Sequence, residues 1–203
     1  MLELSRPLKT ARLTLRPYDT GDLLALHDMF GHEDVCRYLP WEPMDLDQAR
    51  AKLEQRVRQT RIETDGDPLL LAAVESETGR VVGEFMLVLT SAKDRQGEIG
   101  WSFHPDVQGR GLATEGAREM LRLGFEDLGL HRIAAQSDQR NVASLRVMER
   151  LGMRREAEFV DAQFVKGEWI GETVYAILET EWRIIESPEA ASTMPAATAA
   201  PEA

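Results

Sequence analysis

Residues 98–116 read EIGWSFHPDVQGRGLATEG, and the order of features in this stretch decides the fold. Residues 98–103 are strand-like. They lead into Gln108-Gly109-Arg110-Gly111-Leu112-Ala113, which opens a helix. The two glycines let the backbone turn tightly and bring successive N–H groups to an anion with no side chain in the way. The helix start adds unpaired donors and roughly half a positive charge from its dipole. Strand, Gly-rich loop and helix start together form a phosphate cradle. No Gly-Lys-Ser/Thr follows, so this is not a P-loop, and the Gly-x-Gly-x-x-Gly spacing of a dinucleotide fold is missing. Taken alone, the loop also fits a Gly-rich turn before an ordinary helix.

Downstream, Ala113, Ala117, Met120, Leu121, Gly124 and Leu128 recur at helical spacing and predict a helix over 112–127. Residues 131–137 read as a short strand, and 142–151 as a helix closed by Gly152. Two strands over 154–160 and 172–179 are joined by a loop containing Lys166-Gly167-Glu168-Trp169. Upstream, 69–75 and 80–90 are strands around the turn Glu77-Thr78-Gly79, and a polar loop over 93–97 precedes the strand at 98. Asp45 heads a helix with Leu46, Ala49, Leu53 and Val57 on one face, and Asp65-Gly66-Asp67-Pro68 breaks the chain after it. The alternation of 12–16 is a strand that Pro17 ends; Asp19 or Thr20 then caps a short helix carrying Leu23, Leu24, Leu26 and Met29. This order predicts a mixed α/β (α+β) fold with helices packed on the faces of a sheet. The domain spans 1–186, and the Ala/Pro-rich residues 187–203 read as a disordered tail.

With 203 residues, one domain with a substantial core is expected. The 35 acidic against 24 basic residues give a net charge of −11, which argues against nucleic-acid binding and suits a cationic substrate. Many soluble proteins are acidic for solubility alone. No run approaches the roughly 18 apolar residues of a membrane span, and the N-terminus lacks a secretory pattern. Cys36, the sole cysteine, excludes an internal disulfide and fits a reducing compartment, so a cytoplasmic location is expected. His27 and His32-Glu33 do not have zinc-site spacing, so no metal is expected. His104 and Cys36 read as structural.

The cradle is not isolated. Asn141-Val142-Ala143-Ser144 opens the next helix, which ends at Leu151-Gly152-Met153. Through EIGWSFHPDVQGRGLATEG, GLHRIAAQSDQRNVASLRVMERLGM (129–153) and KGEWIGETVYAILETEW (166–182), the chain resembles the GNAT superfamily of N-acetyltransferases. Within it, the chain is most similar to the RimJ and RimL type, which acetylates N-terminal residues of ribosomal proteins. The resemblance runs over roughly residues 11–183. It implies a mostly antiparallel sheet splayed at its centre, acetyl-coenzyme A as co-substrate and a primary amine as acceptor. It assigns Gln108, Gly109, Arg110, Gly111, Leu112 and Ala113 to the pyrophosphate, and backbone groups of Pro105, Asp106 and Val107 to the pantetheine amides. Asn141 would contact the pantetheine arm and Ser144 would stand by the thioester sulfur. Arg146 and Arg110 could reach the 3′-phosphate, although surface solvation accounts for both.

The chemistry needs an acid for the sulfur, a role Ser144 fits, and a base for the amine, for which Glu98 and Glu84 are the candidates. Each also has a plain reading, as an early-helix hydroxyl or a solvent-facing strand residue. Asn141 is also a natural helix cap. Tyr38 and Trp41 are candidates for the acceptor wall, with Trp41 equally explained as packing, and Trp169 reads as packing or interface. The favoured acceptor is a protein N-terminus. Small amines (a polyamine, an amino acid, an aminoglycoside), a succinyl donor and a coenzyme-binding sensor without catalysis stand as alternatives, and a homodimer is compatible with the chain.

Overall fold

A computed structural model describes residues 1–4 and 6–186; the expected tail, 187–203, lies outside the described residues. The chain opens with strands β1 (Leu2–Glu3), β2 (Leu8–Lys9) and β3 (Leu13–Arg16). Asp19 caps a single 3-10 turn that leads into helix α1 (Leu23–Phe30). Helices α2 (Glu33–Cys36) and α3 (Leu46–Arg56) follow. At α3 the Asp45 carboxylate accepts from the Gln48 N–H while the Gln48 side chain accepts from the Asp45 N–H, so two orphan donors are satisfied reciprocally. Next come β4 (Arg61–Ile62), β5 (Pro68–Glu75), β6 (Val81–Ser91) and β7 (Gln96–Phe103). Helix α4 (Leu112–Arg122) runs on into a π-helical turn over Leu123–Asp127. The rest is β8 (Arg132–Asp138), α5 (Val142–Arg150), β9 (Arg154–Val165), β10 (Glu168–Leu178) and α6 (Glu179–Glu186).

Eight strands form one sheet in the order β2-β3-β5-β6-β7-β8-β10-β9. All its neighbouring pairs are antiparallel except β7 and β8, which α4 joins as a crossover. That parallel pair is short, running from Gln96↔Arg132 to Glu98↔Ala134. Beyond it β7 continues to Phe103 and β8 to Asp138, so the sheet forks. This is the splayed centre that the family resemblance implies.

Helices cover both faces, as β5 makes plain. Leu71 and Ala73 point into the cluster that α4 closes with Leu112, Ala117 and Met120, whereas Ala72 between them joins the cluster of Leu26, Phe30 and Leu53 under α1 and α3. Helix α4 sits so close to the sheet that a Cβ at Gly116 would come within 2.3 Å of the Phe85 ring, so glycine is required there.

Four details depart from the sequence reading. Leu24 is 72% exposed; Leu26, Met29 and Phe30, at helical spacing, form the buried face of α1 and leave Leu24 opposite. The late loop shrinks to a two-residue turn at Lys166-Gly167, both with positive φ (51° and 82°), so β9 extends to Val165. Trp169 therefore lies in β10, exposed and edge-on to Phe164 at 5.4 Å, and not in a loop. Helix α6, unanticipated, packs Trp182 against Phe125.

Candidate active site

The fork between β7 and β8 opens onto two adjoining spaces. The first is a cleft of about 310 Å³ between the Gly-rich loop and α5. Gly109 and Gly111 adopt φ of 75° and 80°, and nothing lies within 4 Å of where a Cβ on Gly109 would sit. Gly111 is the N-cap of α4 and offers no side-chain cap, so the first-turn N–H groups of that helix are left to an outside acceptor. Val107, Gln108, Leu112 and Ala113 line the same cleft, with Asn141, Ser144 and Arg146 facing them from α5. Asn141 caps α5 by accepting from the Ser144 N–H at 3.2 Å.

Three of the residues expected at this cleft stand apart from it. Pro105 and Asp106 form a 3-10 turn behind the cleft. The N–H groups of that turn are already committed: Asp106 donates to His104 Nδ1, Val107 to the His104 carbonyl and Gln108 to the Pro105 carbonyl. Free backbone belongs instead to β7 past Glu98, where β6 pairs one edge and the fork leaves the other unpaired, so alternate residues turn N–H and C=O into the gap. Trp101 and Ser102 border the cleft from this stretch. Arg110 is turned away and ion-paired to Glu75 at 2.7 Å. Arg150, which the sequence reading missed, borders the cleft one turn beyond Arg146. Among the described residues neither of these two arginines makes an ion pair.

The second space is a cavity of about 400 Å³ on the other side of Ser144, a size suited to a small ligand. Tyr38 and Trp41 form part of its wall. Trp41 is held edge-on to Phe30 at 6.1 Å, and Lys52 Nζ lies 3.6 Å from its ring centre. Both candidate bases border this cavity, in different states. Glu84 is buried in a bidentate pair with Arg56, with Oε1 accepting from Nη2 at 2.7 Å and Oε2 from Nε. Both carboxylate oxygens are thereby occupied by the guanidinium. Among the described residues no cation stands beside Glu98, and burial, then the charge of Glu172, raises its pKa. Glu172, on β10, is the second residue the sequence reading missed.

The site thus consists of a Gly-rich loop at an uncapped helix start, a forked sheet, and a hydroxyl between a cleft and a carboxylate-lined cavity. The acetyltransferase (GNAT) domain family matches residues 12–154. The uncharacterised N-acetyltransferase YnaD of Bacillus subtilis (strain 168) is 31% identical over 175 residues, 86% of this chain and 98% of its own. Spermidine N(1)-acetyltransferase of Escherichia coli (strain K12) is 26% identical over 76% of this chain and 80% of its own. A Bacillus subtilis protein provisionally named ribosomal N-acetyltransferase YdaF is 30% identical over 51% of this chain and 57% of its own. The crystal structure of a GNAT-family acetyltransferase from Bacillus anthracis superposes with a TM-score of 0.77 at 30% identity, over 86% of this chain and 99% of that one. With the profile match spanning most of the chain and the forked sheet shared with a solved member, this chain belongs to the GNAT family of N-acetyltransferases.

Proposed function

We propose that the chain transfers an acetyl group from acetyl-coenzyme A to a primary amine held in the carboxylate-lined cavity. The observation that carries this reading is the junction of the two spaces: cleft and cavity meet at Ser144 and Asn141 over the fork. The cleft fits the coenzyme. Its glycines leave open space where a Cβ would otherwise project, the first turn of α4 offers uncapped donors to a pyrophosphate, and Arg146 and Arg150 stand ready for further phosphate. When bound, the coenzyme supplies an acyl group already activated as a thioester.

The residues around it supply position and proton transfer. Glu98 takes the proton of the ammonium form, which frees the nitrogen lone pair. Unpaired N–H groups on the open edge of β7 stabilise the carbonyl oxygen as its charge grows. The nitrogen–carbon bond forms, the carbon–sulfur bond breaks, the nitrogen gives up its second proton to solvent, and the Ser144 hydroxyl donates a proton to the departing sulfur and regains one from solvent. Glu84, bound to Arg56, serves as structure in this account. A coenzyme-binding sensor would need neither Ser144 nor Glu98 at the junction.

The geometry supports a cationic acceptor. No dense acidic run exists in the sequence, yet the fold gathers Glu84, Glu98, Asp138 and Glu172 around one cavity. The name of the Escherichia coli relative agrees with a small amine. A protein N-terminus, the reading first favoured, keeps the support of the relative named for ribosomal acetylation. Release of free thiol, followed with acetyl- and succinyl-coenzyme A against a panel of N-terminal peptides and small amines, tests the reading. Coenzyme binding with no transfer to any amine refutes it.

A further inference from the structure

The cavity carries more negative charge than acetyl transfer itself uses. Of its four carboxylates, Glu84 is held by Arg56, and Asp138 by Arg140 through Nη2 at 2.6 Å and Nε at 3.0 and 3.1 Å. Glu98 and Glu172 have no such partner. Glu172 Oε2 accepts from Gln163 Nε2 at 2.7 Å, a neutral donor that fixes the carboxylate without cancelling its charge. Among the described residues, no lysine, arginine or histidine side chain borders the cavity. The two acids come from opposite sides of the fork. Glu98 is the last residue of β7 paired to β8, and Glu172 on β10 lies opposite Asp138, the last residue of β8. Burial, and then the charge of Glu172, raises the pKa of Glu98.

The cavity is the acceptor site on grounds independent of these acids, because it shares Ser144 and Asn141 with the cleft. The reacting nitrogen must be neutral when it attacks, and the proton it gives up neutralises Glu98. No positive charge is then left on that nitrogen to balance Glu172. We propose that Glu172 is a specificity-determining residue that selects acceptors with a second positive charge in addition to the reacting amine, so that the substrate class is the di- and polycationic amines. Gln163 is its positioning residue. A monoamine, or a peptide N-terminus followed by uncharged side chains, leaves Glu172 unbalanced in a partly desolvated site. This inference rests on the acyl-transfer reading above.

The test uses the full chain with acetyl-coenzyme A and compares the three-, four- and five-carbon α,ω-diamines with n-alkylamines of the same length. The best diamine is expected to exceed its matched monoamine in kcat/KM by at least about tenfold, the scale of one interfacial charge contact. Glu172→Gln should bring that ratio close to one and Glu172→Asp should keep most of it, with melting temperature and the KM for acetyl-coenzyme A unchanged in both. Added salt should compress the ratio in the parent protein. Equal use of diamine and monoamine by the parent overturns the inference, as does a Glu172→Gln variant that keeps the preference. Transfer confined to N-terminal peptides with uncharged side chains overturns it while leaving acetyl transfer intact. No transfer to any amine overturns the acyl-transfer reading itself.

Discussion

Arg56→Met isolates one charge of an ion pair that the fold has buried. Arg56 and Glu84 are 6% and 7% exposed, and the guanidinium also lies 5.3 Å from the centre of the Phe30 ring. Removing the arginine leaves Glu84 as a buried carboxylate without its bidentate partner, a change that costs about 3–5 kcal/mol. A domain of this size loses roughly 2–4 °C of melting temperature per kcal/mol, so the expected drop is roughly 6–20 °C. Replacing both partners, Arg56→Met with Glu84→Leu, removes the stranded charge and should recover most of the loss. Calorimetry at neutral pH reads all three proteins. A single variant melting within about 2 °C of the parent, or a double variant no better than the single, refutes the pairing argument. The same logic separates the two candidate bases. Glu84→Gln should lose stability while its folded fraction, assayed cool, turns over within about tenfold of the parent; Glu98→Gln should keep its stability and lose about 10²- to 10⁴-fold in turnover. If Glu84→Gln loses more turnover than Glu98→Gln, then Glu84 is the base.

Gly111→Glu should abolish coenzyme binding in calorimetric titration, because it forces a side chain into φ of 80° and puts a carboxylate at the uncapped start of α4; unchanged affinity in a folded variant rejects the cradle. Ser144→Ala should lower turnover by about tenfold to a thousandfold with coenzyme affinity nearly intact, and unaffected turnover would make Ser144 a structural residue. The pH profile of kcat/KM should show activity rising as Glu98 ionises. Its acid limb should lie above the ordinary glutamate value of 4.5, since burial and then Glu172 raise that pKa; Glu98→Gln should erase the limb and Glu172→Gln should move it to lower pH.

The features legible in the sequence are those decided within a few residues. The Asp45 and Asn141 caps each arise from one side chain meeting backbone less than a turn away, and the glycines of the cradle from their own positive φ. The fork needed the family resemblance, because the length of a parallel pairing is set by two strands with a crossover helix between them. Arg150 was within reach, since it lies one helical turn from Arg146 on the same face of α5. Arg56 also left a signal. It falls three residues after Leu53 on the apolar face of α3, where a charge demands a partner, but nothing local says that the partner is Glu84, 28 residues on. Glu172 left none. Its importance comes from β8 lying between it and the strand of Glu98, a juxtaposition that exists only in the folded sheet.

The net charge of −11 is an average over surfaces of opposite character. On the donor side, Arg146, Arg150 and the open start of α4 present positive charge to a polyanion. On the acceptor side, Glu98 and Glu172 present negative charge to a cation, and Ser144 marks the boundary. This division resolves a conflict in the chemistry, because the amine is drawn in as a cation yet attacks only as a neutral base. A lone, well-solvated glutamate would attract the ammonium but hold its proton weakly. A glutamate raised by burial and by a second carboxylate accepts the proton more readily, and the second carboxylate then keeps any remaining ammonium group of the substrate in place. In the proposed reaction, one pair of acids thereby performs attraction first and deprotonation second, in the order the chemistry requires.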